Sequence, residues 1–365
     1  MNRWILQGDR VQVGVTEEAG HLDPVRFVTD TGEFQPMHVA PWADEHLGPD
    51  VPPVLRVLRG DFLCAPFGPS DVLPDETRVH GATANGRWVR GSADIHHLEA
   101  VLEPTVMGAR IRKIVRIHPH QAVVYQEHIF EGGSGSLPVG HHAMLRAPEP
   151  LYLGFSRWIW AGTAPEPLEP DPKVGRSLLA YPQEITDLSR VRLAAGGTAD
   201  LSRYPTLEAH DDLVMLVADP KLPFAWSAAT APHAGWVWFA LKSPRTLAST
   251  ILWMSNGGRQ SPPWSGRHTH VLGIEEVTTY FNLGHRASAT PNPVSKRGIP
   301  TAITLQPRGC VSLRYAFGLA AAPPGFTRVR AIDPAGDGVD LVDEGGRRVH
   351  AAIDVAFITD QPRSA

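Results

Sequence analysis

The sequence predicts an all-β protein built from antiparallel strands as a sandwich or barrel. Three observations carry that prediction. Proline and glycine each occur 34 times, spread along the whole chain, and so divide it into short segments that leave little room for long helices. The segments between the breaks are rich in β-branched and apolar residues, and several alternate apolar and polar letters with period two, as strands with one wet face do. The helical crossovers of a parallel sheet are not visible, nor is the fixed period of a solenoid or propeller.

Taken in order, residues 10–15 form the first strand-like run. The stretch 95–130 reads as three long strands, 97–102, 109–117 and 122–130, joined by turns at Glu103-Pro104 and His118-Pro119-His120 in an antiparallel meander. Within it, Arg110, Arg112 and His118 alternate with Ile111, Val115 and Ile117. Residues 163–172 (T-A-P-E-P-L-E-P-D-P) carry too much proline for a regular element and are expected as an extended surface loop. Short helical turns are expected in 176–186 and 187–194. Further strands are expected at 213–217, 236–241 and 250–253. The tail, 300–358, returns to strand-like text broken by P-P-G, D-P-A-G-D-G and E-G-G turns; it could form a small appended sheet or complete the same sandwich, and completion of one sandwich domain spanning residues 1–365 is the expectation.

The chain has 365 residues, 42% apolar and 20% charged, with a formal charge of −4 and a pI near 6.5. That composition is globular, and it supplies no basic field for a phosphate backbone, so no nucleic acid is expected as partner. Cys64 and Cys310 stand far apart without a C-x-x-C spacing, which suggests neither a disulfide framework nor a thiolate metal site. The first residues lack an apolar signal core, and no 18-residue apolar run follows, so the expectation is a cytoplasmic protein without a membrane span. Nothing in the sequence speaks to oligomeric state.

Several polar residues lie in strand-like or turn-like text far apart in the chain. Glu275 and Glu276 follow Val271-Leu272-Gly273-Ile274. Alternation sends the two to opposite faces, so one must face inward, with Glu276 the reserve if the register shifts by one. His141 and His142 divide in the same way, and Gly140 before them permits close approach of a ligand or another backbone. Arg59 and Asp61 flank Gly60 as residues i and i+2 and would share a face, offering donors and acceptors to vicinal hydroxyls. His80 sits in a turn before Gly81. The glycine-rich loop after Trp253 brings Asn256, Arg259 and Trp264 just ahead of the glutamate run, and its aromatic residues suit the apolar face of a sugar ring. Among the 17 histidines, the H-x-H pair His268 and His270 is the best metal candidate, but no third ligand stands at a recognised spacing, and no metal or other cofactor is expected.

Four motifs in order, R-G-D-F-L-C-A-P-F-G (59–68), H-G (80–81), G-H-H (140–142) and G-I-E (273–275), resemble those of the aldose 1-epimerase, or galactose mutarotase-like, superfamily, in particular its divergent epimerase-related branch. The resemblance spans roughly residues 10–320. It implies a large antiparallel β-supersandwich with a carbohydrate cleft, Glu275 as general base, His142 as general acid, His80 as second histidine, and Arg59 and Asp61 binding sugar hydroxyls. The N-x-x-x-G-R turn and the H-x-Y-F-N-L block of the sugar mutarotases are missing; Tyr280-Phe281-Asn282-Leu283 matches the latter in letters only. The expected partner is a small carbohydrate and the expected reaction is anomer interconversion. A non-catalytic carbohydrate-binding protein and a lyase- or hydrolase-related enzyme are the alternatives.

Overall fold

The computed structural model describes residues 2–69, 71 and 78–360. Two antiparallel sheets face each other. The larger has nine strands, in spatial order Arg203–Tyr204, Leu151–Phe155, Ala225–Ala231, Trp236–Lys242, Cys310–Ala321, Val123–Gly132, Ala109–Ile117, His97–Leu102 and Trp88–Ala93. The smaller has six: Trp158–Gly162, His210–Ala218, Ser249–Asn256, Val271–Thr278, Val139–Arg146 and Leu63–Cys64. The meander expected over 95–130 is present, with His97 opposite Arg116 and Ala109 opposite Gly132. The all-β prediction holds, and the proline-rich loop at 163–172 contains no helix or strand. The helical turns expected at 176–194 shrink to one 3-10 turn, Leu188–Arg190. No described helix is long and apolar enough to cross a membrane.

Hydrophobic burial explains why the smaller sheet anchors the molecule. One face packs Ala143, Leu145, Leu252, Leu272 and Ile274 against Val115, Ile117, Val124, Trp238 and Phe317 of the larger sheet. Its other face packs Met144, Leu213, Ile251, Trp253, Val271 and Val277 under Trp42, Phe62, Phe67 and Trp264, which arrive on loops. Each fully buried Val, Leu, Ile or Phe contributes about 1.5–3 kcal/mol. Three adjacent strands of this sheet, His210–Ala218, Ser249–Asn256 and Val271–Thr278, are therefore buried along their whole length.

A polar seam crosses the space between the sheets. Lys113, Gln126, His128 and Tyr315 project inward from the larger sheet, and Asp61, His141 and Glu276 come from the other side, all buried. Glu276 pairs with Lys242 and accepts hydrogen bonds from Ser227 Oγ (2.6 Å) and Thr250 Oγ1 (2.7 Å). Buried charge is tolerated when paired and hydrogen-bonded in this way.

The tail behaves in two ways. Cys310–Ala321 lies inside the nine-stranded sheet, between Trp236–Lys242 and Val123–Gly132. Val329–Ala335, Gly338–Asp343 and Arg348–Ala352 instead pair only with one another, and this small sheet covers the outer face of the large one through Val329, Ile332 and Leu341 against Val123, Tyr125, Trp226 and Phe239.

Candidate active site

The register of two neighbouring strands creates the central pair. Val139–Arg146 and Val271–Thr278 run antiparallel with His142 opposite Glu275 and His141 opposite Glu276. Directly opposed residues on one face are close enough for their side chains to meet. His142 Nε2 accordingly lies 3.2 Å from Glu275 Oε1, while Glu276 and His141 turn into the seam between the sheets. Alternation thus separates both doublets as expected, and Glu275 and His142 are the members on the loop-covered face.

Glycines make room for this contact. A Cβ on Gly273 would sit 2.8 Å from Glu275 Oε1, and one on Gly140 would sit 2.4 Å from Val277 Cγ1. Gly140 therefore admits the neighbouring strand, whereas Gly273 admits the carboxyl group itself. Behind His142, the Phe62 ring stacks at 4.7 Å with its other partner, His21, at 4.1 Å. The main-chain N–H of His142 donates to Phe62 O at 2.9 Å.

Burial moves both groups toward neutrality. Desolvation pushes the Glu275 carboxyl well above the usual carboxylate range, against the opposing pull of Arg259. Desolvation, then the neighbouring His80, pushes His142 well below the usual imidazole range. Both shifts favour the neutral forms, carboxylic acid and imidazole, in a pair whose facing atoms are 3.2 Å apart.

His80 completes the polar edge of the site. Its ring lies 5.1 Å from that of His142, edge to face, and its backbone is left-handed at φ 65°, an uncommon state for a non-glycine residue. Gly81, at φ 67°, could not carry a side chain, since a Cβ there would lie 2.1 Å from Ala65 O. Desolvation, reinforced by Arg259, lowers the His80 pKa to about 3. Because Gly68 N–H donates to His80 Nδ1 at 3.3 Å, the ring proton resides on Nε2, which is left as a donor.

These side chains line a cavity of about 550 Å³, with Phe62, Phe67, Leu213, Trp253, Trp264 and Arg259 among its walls. The volume falls within the range of roughly 300–1,000 Å³ typical of small-molecule sites. Trp253 stands 5.4 Å from His142 and 5.8 Å from Trp264, near perpendicular to each. Glu169, Ser261 and Asn282 also line it; sequence reasoning assigned them no role, and only loop placement marked them. Phe62 and Phe67 stood inside the R-G-D-F-L-C-A-P-F-G motif, but their role as packing behind the histidines could not be read from it.

The remaining residues singled out in the sequence are dispersed. Arg59 donates to Asp23 Oδ2 (3.1 Å), Val57 O (2.9 Å) and Ala43 O (3.3 Å), and it borders a separate polar groove with Arg3, Arg87, Glu17 and Glu45. Asp61 is sealed in the seam, where it accepts from Gln126 Nε2 and lies 3.4 Å from His141 Nδ1. The face shared by Arg59 and Asp61 in the sequence reading does not exist, because Gly60 is left-handed at φ 58° and breaks the alternation between them. Asn256 is a structural clamp, donating to Leu207 O (2.8 Å) and accepting from His270 N (3.0 Å). His268 is buried against Ser255 while His270 is exposed, and no three metal-ligating side chains cluster among the described residues. Arg259 and Trp264 do reach the cavity.

No family model and no curated protein sequence matches this chain. Solved structures do match it in shape. A candidate aldose 1-epimerase from Escherichia coli K12 superposes with a TM-score of 0.58 at 12% identity, covering 88% of this chain and 99% of that one. A galactose mutarotase related enzyme from Lactobacillus acidophilus gives 0.55 at 10% identity, over 88% and 98% of the two chains. A galactose mutarotase-like protein from Lactobacillus casei gives 0.50 at 13% identity, over 87% and 100%. Two facing antiparallel sheets of nine and six strands, matched over nearly nine-tenths of the chain by these structures, give this protein the galactose mutarotase-like fold.

Proposed function

We propose that the protein is a carbohydrate isomerase of the aldose 1-epimerase type, interconverting the anomers of a sugar through its open-chain form. The observation that carries this reading is the 3.2 Å contact between His142 Nε2 and Glu275 Oε1 at the wall of a cavity of about 550 Å³, large enough to admit a pyranose. The anomeric hydroxyl and the ring oxygen are attached to the same carbon, so the groups that serve them must be close neighbours on one wall rather than at opposite edges of the sugar.

The proton balance closes without a further reactant. Transfer of the carboxyl proton from Glu275 to His142 Nε2 arms the pair as carboxylate and imidazolium. Glu275 then takes the proton of the anomeric hydroxyl, the bond from the anomeric carbon to the ring oxygen breaks, and His142 delivers its proton to that oxygen. The aldehyde forms and the pair returns to acid and neutral imidazole. Rotation about the bond between the first two carbons, followed by the same steps reversed, closes the other anomer. In this reading His80 Nε2–H donates to a sugar hydroxyl, and Trp253 and Trp264 offer faces to the apolar side of the ring.

Exchange NMR of anomers across a panel of aldoses tests the proposal. Acceleration of interconversion for at least one sugar, abolished by Glu275→Gln, is the expected result. Binding that survives Glu275→Gln, with no turnover by either form, would instead indicate a non-catalytic carbohydrate-binding protein.

A further inference from the structure

Arg259 neither gives nor takes a proton in these steps, yet the fold holds it at the cavity wall. Gly257 turns the chain off its strand at φ 78°, and Gly258 has no room for a side chain, since a Cβ would lie 2.2 Å from the carbonyl carbon of His210. The guanidinium is brought to 4.5 Å from the Trp264 ring and 5.7 Å from the Trp253 ring. Asp211, itself held by Trp253 Nε1 (2.8 Å) and Ser255 Oγ (2.9 Å), lies 3.7 Å from Arg259 Nε. That contact occupies one edge of the fork. Among the described residues, the two terminal nitrogens make no hydrogen bond to protein.

Arg259 is also the one cation among the described residues that line the cavity, and the undescribed positions Ser70 and 72–77 (V-L-P-D-E-T) contain no lysine or arginine. The carboxyl of Glu275 and the rings of His80 and His142 are all driven toward neutrality by burial. Among the described residues Glu169 is the remaining lining carboxylate, and it accepts a hydrogen bond from the main chain of Asp171 at 3.4 Å. His142 and the guanidinium both flank the Trp253 ring, at 5.4 and 5.7 Å from its centre, so the cation and the proton pair are neighbours on one cavity wall. In a pyranose the carbon beyond the ring oxygen is likewise a near neighbour of the anomeric carbon, and a charged substituent there would face the cation.

We propose that the substrate is an aldose bearing a carboxylate, a uronic acid, and that the free fork of Arg259 receives that carboxylate while Glu275 and His142 act at the anomeric carbon. This rests on the epimerase reading of the same site. A single planar guanidinium matches a carboxylate in charge and in paired geometry. A phosphate dianion would call for a second cation, and the other arginine the sequence offered, Arg59, is committed to Asp23 and to main-chain carbonyls outside this cavity.

The test compares glucuronate, galacturonate, glucose, galactose and glucose 6-phosphate by exchange NMR and by calorimetric titration, with wild type, Arg259→Gln and Arg259→Lys. The uronates are expected to be exchanged with the highest kcat/KM. Arg259→Gln should raise the KM of the uronates about 10- to 100-fold more than that of neutral aldoses, with any change in kcat common to both because the proton pair loses the same neighbouring charge. Arg259→Lys should recover part of the loss, because it restores the charge without the fork. Efficient exchange of neutral aldoses, with uronate constants indifferent to Arg259→Gln, would overturn the inference while leaving the epimerase reading intact. Preference for the phosphate ester would overturn it equally. If no aldose is exchanged, the epimerase reading fails, and calorimetry decides the inference alone: uronate binding lost in Arg259→Gln supports it, and absence of uronate binding refutes it.

Discussion

Glu275 and Glu276 are adjacent in sequence, and the structure predicts opposite consequences for the same substitution at each. Glu276 is fully buried and faces Lys242, with Ser227 and Thr250 supplying hydrogen bonds. Glu276→Gln removes the counter-charge and leaves the Lys242 ammonium enclosed among neutral acceptors, the carbonyl of Ser249, Thr250 Oγ1 and the new amide oxygen. Breaking a buried pair on one side costs about 3–5 kcal/mol. Glu275 is already held toward its neutral form by desolvation, so an amide reproduces its shape and charge, and Glu275→Gln should cost under about 1 kcal/mol in stability. What the amide cannot do is give or take a proton, which lowers the anomer-exchange rate about 10²- to 10⁴-fold. Urea unfolding and exchange NMR on the two purified variants separate these effects. Equal loss of stability in both, or loss of rate in Glu276→Gln with its urea midpoint unchanged, would refute the assignment of the two faces.

Three further outcomes are expected. His21, His128, His142 and His268 are buried and held neutral, chiefly by desolvation; a lowered folded pKa gives stability present above the unfolded value near 6.5 and lost as pH falls below it. Between pH 7 and 5 each should cost about 2 kcal/mol, and His80 and His38, lowered to about 3 and about 4, act in the same direction, while Glu275, raised in the fold, recovers at most about 3 kcal/mol as the unfolded chain approaches its own protonation, so the net loss by urea unfolding is at least about 5 kcal/mol; a flat profile would contradict it. Gly273→Ala, whose Cβ would press on Glu275 Oε1 at 2.8 Å and on Trp253 Cβ at 2.9 Å, should lower kcat at least about tenfold, because a misplaced catalytic group loses its alignment. Asp61→Asn should lower the urea midpoint and leave the KM for every sugar unchanged, since Asp61 lies in the seam with Gln126 and His141.

The fold was legible because period-two alternation and dispersed proline and glycine are local signals. Residues 97–102, 109–117 and 236–241 could be assigned to strands without knowing their partners. Alternation also split Glu275 from Glu276 and His141 from His142, but which member faced the cavity depended on pairing between strands some 130 residues apart, which no local pattern specifies. Arg59 and Asp61 were misplaced because the reading assumed an unbroken strand, and the left-handed Gly60 between them reorients the chain. The seam was illegible for a related reason. Lys113 falls on the same face as Ile111 and Val115 and is completely buried with them, although a lysine in a strand ordinarily signals the wet side. The division of the tail was also hidden, since Cys310–Ala321 and the three strands after it look alike in sequence and differ only in their neighbours.

The distance between proton donor and acceptor is set here by the rungs of a hydrogen-bonded ladder, in which position 142 is the direct partner of position 275. The residues that would distinguish one sugar from another, such as Arg259, Ser261 and Trp264, hang from a connecting loop that contributes nothing to that ladder. On the proposed reading, a library varied across 260–264 could be screened for new sugars while the 142–275 rung keeps its main-chain spacing, with position 259 held fixed because its charge acts on Glu275, His80 and His142.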